Sequence, residues 1–200
     1  MSNEQLTIKR DWKAYYNAVA NRPPRKTVLT ALAAFKKPGM AIDLGCGDGR
    51  DTVEILRQNW KVLAIDKEPE AIARLQARPN IKPRSLTTQI VSFEQLQLPK
   101  HINLINASFC LPFCSPEAFP SLWNQIFNSL VVGGRFCGHL FGERDSWGNN
   151  ELISTFTRPQ IETLLQSYAI ELLEEEEHSG STPLGEDRYW HIFHIVARKI

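Results

Sequence analysis

Apolar and polar positions fall into blocks that switch between two periods along the chain. "MAIDL" (40–44) is apolar without alternation, the pattern of a strand buried on both faces of a parallel sheet. "WKVLAID" (60–66), "LTTQIVSF" (86–93), "INLINASF" (102–109) and "RFCGHLFG" (135–142) read as four more strands, the last preceded by a tight turn at Gly133-Gly134. Helical spacing fills the gaps. "RDTVEILRQN" (50–59) is one helix, and "PEAIARLQA" (69–77) opens with Pro69 in its first turn. "SPEAFPSLWNQIFNSL" (115–130) is expected to be helical with a break at Pro120. Thr157 and Gln160 fit a capping box in front of "RPQIETLLQSY". "AIELLEEEEH" and "RYWHIFHIVARKI" close the chain as two strands around a polar loop. Near the N-terminus, two helices flank Pro23-Pro24, with Val28, Leu29, Leu32 and Phe35 on one face of the second.

Strands alternating with helices predict a parallel sheet covered on both faces. The last two strands lack a helix between them and must be antiparallel neighbours. The acidic run Glu174–Glu177 reads as a solvated sheet edge that discourages pairing with other chains.

The chain has 200 residues, enough for one domain with one sizeable core. A formal net charge of +1 offers no basic field for nucleic acid, and no apolar run reaches membrane-spanning length. The N-terminus lacks a signal peptide's apolar core. Cys46, Cys110, Cys114 and Cys137 lie in or beside apolar runs without metal-ligand spacing. They are expected to be buried, reduced thiols of a cytoplasmic protein with no metal, and a metal or redox site at Cys110-x3-Cys114 is the alternative.

"AIDLGCGDGR" (41–50) carries the chemistry, with Gly45, Gly47 and Gly49 between a strand and a helix. Glycines there let the backbone approach a ligand closely. Ligands of open α/β sheets bind beyond the carboxyl ends of the strands, where the first amides of the following helix point. The dinucleotide fingerprint is GxGxxG with an acid about twenty residues on. Here the spacing is GxGxG, and Asp66 closes the second strand. Asp66 suits ribose hydroxyls under either reading. Asp43 separates them, because a carboxylate directly before the loop repels a pyrophosphate and attracts a cation. S-adenosylmethionine carries an ammonium, a sulfonium, a ribose and no phosphate. A purely structural turn and a nicotinamide-binding domain are the competing readings, and the two acids disfavour both.

"AIDLGCGDGR", "VLAID" and the Gly-Gly turn resemble the class I S-adenosylmethionine-dependent methyltransferases, over most of the chain. "LGCGDGRDT", the insert-free core, the N-terminal tryptophan and the "VARK" ending resemble the tellurite-resistance type. The resemblance implies an open, seven-stranded, mostly parallel, doubly wound sheet of order 3-2-1-4-5-7-6, the last strand antiparallel. It implies one domain over residues 1–200, with residues 1–37 as an N-terminal helical lid. It implies cofactor contacts at Asp43, Gly45, Cys46, Gly47, Gly49, Arg50, Asp66 and Lys67. Ser92 stands where the family's adenine-binding acid would be, beside Phe93. Asn103 replaces a second family aspartate, and Asn106, Ala107 and Ser108 are expected under the sulfonium.

Methyl transfer calls for an aligned nucleophile in a water-poor, aromatic pocket. Trp12, Tyr15 and Tyr16 share a helix face and are lid candidates, since aromatic faces attract a sulfonium. Arg22 and Arg25 flank the Pro-Pro pair and are placed to reach the ligand carboxylate. The substrate side is expected from Phe109, Phe141 and Trp147, with Arg144 meeting an anion and His139 as the rival base. Trp190, His191 and His194 share the last strand, but His191 and His194 must face opposite sides. No Asp/Asn-Pro-Pro-Tyr/Phe motif marks amino-group methylation. The expectation is an enzyme, monomeric or homodimeric, that methylates a small soft or anionic nucleophile. The alternatives are a noncatalytic cofactor-binding protein and a protein methyltransferase.

Overall fold

The computed structural model describes residues 11–20, 22–79 and 81–200. The part of the lid expectation that falls on residues 1–10 lies outside them. The helices are α1 (Trp12–Val19), α2 (Lys26–Ala33), α3 (Arg50–Arg57), α4 (Pro69–Gln76), α5 (Phe119–Ser129) and α6 (Arg158–Leu164). The strands are β1 (Met40–Leu44), β2 (Lys61–Asp66), β3 (Leu86–Ile90), β4 (Ile102–Ala107), β5 (Leu130–Gly142), β6 (Thr155–Phe156), β7 (Tyr168–Ser181) and β8 (Asp187–Lys199).

They form one sheet of eight strands, of order β3-β2-β1-β4-β5-β8-β7, with the short β6 paired to β5 off this path. Apart from β6 this is the expected order. β8 runs antiparallel to both β5 and β7. The apolar runs are strands because both sheet faces are covered. On one face Val28 and Leu32 of α2, Ile55 of α3 and Leu75 of α4 pack on Ala41, Val62, Leu104 and Val196. On the other, Trp123 and Ile126 of α5 and Ile161 of α6 pack on Ile42, Ile105, Phe136 and Phe193. α2 therefore belongs to the body of the domain, and only α1 of the expected lid stands over the ligand end.

Local expectations changed in four places. Pro120 lies in the first turn of α5 rather than breaking it, since a first-turn proline has no helical N–H partner to lose. β3 stops at Ile90, so Val91–Phe93 belong to the loop beyond it. Gly133-Gly134 is not a tight turn ahead of the strand. It is a bulge inside β5, where the pairing jumps from Ile102↔Leu130 to Leu104↔Arg135. A Cβ on Gly134 would come within 2.9 Å of Val131 O, so the bulge needs glycine there. The acidic run is paired as well as solvated: Glu174 meets Lys26, Glu176 meets His194, and Glu175 and Glu177 meet Arg144. The capping box formed by Thr157 and Gln160 is present at α6. Among the described residues, no helix is long and apolar enough to cross a membrane.

Candidate active site

The parallel strands deliver their carboxyl ends to one rim, and three adjoining cavities open there beneath α1. Tyr15 borders all three.

The first is a cleft of about 750 Å³. Its floor is Gly45 and Gly47 after β1, Asp66, Lys67 and Glu68 after β2, Val91–Glu94 after β3, and Ser108–Cys110 after β4. Trp12, Tyr15 and Tyr16 of α1 and Phe113 roof it. Asp11 caps α1 through Ala14 N at 2.9 Å, and Arg74 of α4 ties it down by donating to Asn17 Oδ1 at 2.8 Å. Asp66 accepts Gly47 N at 2.9 Å on one oxygen and Glu68 N at 3.0 Å on the other. The carboxylate is thus fixed with lone pairs left for a ligand. Burial raises its pKa.

The three loop glycines do different work. All have positive φ. A Cβ on Gly45 would meet Cys110, and one on Gly49 would meet Leu75 of α4, so those two serve packing. Gly47 borders the cleft as Gly45 does, but its would-be Cβ points to Tyr16 of α1, 3.4 Å away, rather than into the packed interior. Gly49 caps α3 and does not border the cavities.

The second cavity continues from the first, bordered by Asp43, Cys46, Asp48, Arg50, Asp51 and Arg25. Asp43 is fully buried at the end of β1, paired in register with Asn106 of β4. It accepts hydrogen bonds from the Thr52 hydroxyl and from Asn106 Nδ2, the latter at 2.8 Å. Burial first, and then the neighbouring Asp51, push its pKa up to about 7. The unfolded chain gives up that proton near its ordinary value of about 4. In the window between, the native state holds a proton that the unfolded state does not, so stability falls as pH rises. Asp43→Asn removes the titration. Its melting temperature should gain on that of the unsubstituted protein from pH ~4 to ~7; a constant difference would mean that Asp43 is ionised throughout.

The third cavity, about 910 Å³, opens beyond Trp12, Tyr15, Phe109 and Phe113. Phe141, Trp147, Trp190 and Ile192 give it apolar walls, and Arg22, Arg25, Arg188, His178 and His194 give it cationic or titratable ones. Arg188 is buried against Asp145 at 2.7 Å and stacks 3.6 Å over Trp147 and 3.8 Å over Trp190. Arg25 lies 4.3 Å over the Phe109 ring and borders both this chamber and the second cavity. Burial and the nearby Arg50 lower its pKa to about 10, leaving it charged at neutral pH.

Several expected residues stand elsewhere. Arg144 borders none of the three cavities. Its guanidinium donates to Glu177 Oε2 at 2.9 Å and Glu175 Oε1 at 3.2 Å, at the outer edge of the sheet, because β7 folds back past β8 beside it. His139 is buried beneath Phe109, ring to ring at 4.0 Å, and its Nδ1 has no hydrogen-bond partner. Burial and the nearby Arg25 hold its pKa well below the ordinary imidazole range. Asn103 lies at the far end of β4, where it accepts Met40 N at 3.0 Å. Asn106 and Ala107 are buried beneath the rim, and only Ser108 reaches it. The alternation of β8 turns His191 inward to Glu175 and His194 into the chamber. Arg188, Phe113, Glu94 and His178 were not among the expected residues. The period-two pattern of β8, which puts 188, 190, 192 and 194 on one face, was the available signal for Arg188.

The donor set suits S-adenosylmethionine. A fixed carboxylate faces a nucleoside-sized cleft, aromatic rings roof it, and two buried acids stand at the cavity that continues from it. Residues 41–134 match the model of a methyltransferase domain. No curated protein matches the chain significantly. Among solved structures it is similar to TehB from Haemophilus influenzae, with TM-score 0.79, 16% identity and coverage of 93% of this chain and 66% of that one. This chain thus spans just under two thirds of TehB's length. It is also similar to the 1,6-didemethyltoxoflavin-N1-methyltransferase of Burkholderia thailandensis bound to 1,6-didemethyltoxoflavin and S-adenosylhomocysteine, with TM-score 0.67, 22% identity and coverage of 94% and 84%. A third is the N-methyltransferase NodS of Bradyrhizobium japonicum WM9 with S-adenosylhomocysteine, with TM-score 0.64, 15% identity and coverage of 92% and 97%. A methyltransferase domain is thus matched over residues 41–134, just under half of the chain, and the remaining strands complete the fold shared with these solved structures.

Proposed function

We propose that the chain methylates a small soft or anionic nucleophile, a thiol or a chalcogen oxyanion such as tellurite or selenite. S-adenosylmethionine supplies a methyl group activated on a sulfonium. In this reading Asp66 holds the ribose hydroxyls, Ser92 and Phe93 meet the adenine, and Asp43 and Asp51 compensate the ammonium. Trp12, Tyr15 and Tyr16 exclude water over the sulfonium.

The observation that carries the reading is Arg25. Its half-buried guanidinium lies on Phe109, between the amino-acid end of the cofactor cleft and the acceptor chamber. No carboxylate hydrogen-bonds that guanidinium among the described residues, whereas Arg188 is matched by Asp145. A guanidinium that no carboxylate hydrogen-bonds, in a water-poor site, favours an anion at the reacting position. The resemblance to the tellurite-resistance type and the fold likeness to TehB support the same class.

The protein incubated with methyl-labelled S-adenosylmethionine and a panel of thiols, selenite, tellurite and small amines should label the thiols or the oxyanions. Transfer to amines alone would reject the anionic class. Cofactor binding without transfer to any acceptor would make the chain a noncatalytic binding protein.

A further inference from the structure

The acceptor chamber holds a polar chain that its arginines and aromatic walls leave unexplained. His194 of β8 faces His139 of β5 and Glu174 of β7 in register. Its Nε2 lies 2.7 Å from Glu176 Oε2, and the other oxygen of Glu176 lies 3.1 Å from His178 Nδ1. All three residues border the chamber. The His194 side chain is 20% exposed, and those of Glu176 and His178 are about half exposed, so the chain runs from chamber to solvent.

An ionised carboxylate can only accept, so Glu176 holds the ring as the Nε2–H tautomer. That leaves a lone pair on Nδ1, which has no hydrogen-bond partner among the described residues. The charged and titratable groups around His194 come from three directions. Glu174 and Glu176 face it from β7, and the His139 ring faces it from β5 at 5.0 Å. Arg25 and Lys26 lie at the start of α2, and Lys26 is held by Glu174 at 2.8 Å. His139 is kept neutral by burial and does not compete for the proton.

We propose that His194 is the general base that ionises a protonated acceptor, specifically a thiol, inside the chamber. The inference deepens the anionic-nucleophile reading and rests on it. His194 Nδ1 takes the S–H proton. The freed electron pair on the acceptor sulfur forms the new S–CH3 bond. The bond from the methyl carbon to the donor sulfur breaks, its pair staying on that sulfur, which becomes neutral. Glu176 stabilises the imidazolium until water at the mouth of the chamber removes the proton.

The test compares the unsubstituted enzyme with His194→Gln and Glu176→Gln on two acceptors near neutral pH. One is 2-mercaptoethanol, which is protonated there, and the other is 4-nitrothiophenol, which is already ionised. General-base removal costs about 10²–10⁴-fold. His194→Gln should lose that much kcat on the alkyl thiol, with KM little changed, and about threefold or less on the aryl thiol. The acidic limb of the alkyl-thiol pH profile should vanish with it. Glu176→Gln should show the same selectivity, about tenfold. Without cofactor, 2-mercaptoethanol added to the unsubstituted protein should raise the thiolate ultraviolet band, and His194→Gln should not. Equal losses on both thiols, no loss, or an unchanged thiolate band would overturn the role of His194 alone. An unsubstituted enzyme that turns over selenite or tellurite but neither thiol would overturn this inference and leave the parent reading standing; one that turns over none of them would overturn both.

Discussion

Gly47→Val should weaken S-adenosylhomocysteine by at least ~100-fold, a loss of about 2.8 kcal/mol, with melting of the unliganded protein changed far less. Gly47 has φ +55°, where a side chain costs about 1–2 kcal/mol and a β-branched one is least tolerated. The would-be Cβ already stands 3.4 Å from Tyr16, so the valine methyls must enter the cleft or displace α1. The same backbone donates to Asp66, and moving it loosens that carboxylate. Gly45→Ala and Gly49→Ala should instead lower thermal stability, because their new atoms strike Cys110 and Leu75. Calorimetry and melting curves on the three variants separate the two roles; unchanged affinity in Gly47→Val would remove the loop from the binding site.

The second large effect is expected at Arg25. Arg25→Gln keeps donors and much of the length but removes the charge between cofactor cleft and acceptor chamber. Turnover of an anionic acceptor should fall by about 10- to 1,000-fold, the range for losing one electrostatic donor in a water-poor site. Arg144→Gln should change turnover by less than about threefold, since its guanidinium is bound by Glu177 at the exposed edge of the sheet. Steady-state kinetics on both variants decide the assignment. A large Arg144 effect with an indifferent Arg25 would move the acceptor to the other side of β8.

This contrast marks what the chain's pattern does and does not disclose. Asp43 and Asp66 were legible because an unbroken apolar run names a parallel strand, and such strands put their last residues at the ligand rim. The sheet order followed from the same alternation together with the helix-free connection before β8. The partners of the loop glycines were not legible, since Cys110 and Leu75 come from segments 65 and 26 residues away in sequence. Arg144 was misplaced for a related reason. Its strand end is close to the chamber, but its direction is set by β7, whose acids are brought alongside only by the hairpin with β8. In β8 the period of two separated His191 from His194 and left open which face is wet. His139 reads identically in sequence whether it lines a pocket or lies under Phe109. The bulge at Gly133-Gly134 needs one strand to carry residues that its neighbour lacks, which no single segment reveals.

The cysteines carry one more consequence. Cys46 and Cys110 border the cavities in which the methyl donor would sit, and a thiolate there would be a better nucleophile than most acceptors. Burial and the carboxylates Asp43 and Asp66 hold both as thiols, far above their ordinary pKa. The acids that attract the cationic ligand thereby also silence the sulfur beside it. Under the proposed reading, such an arrangement would guard the protein against methylating itself and would let it keep its own soft nucleophiles within reach of the reagent without consuming them.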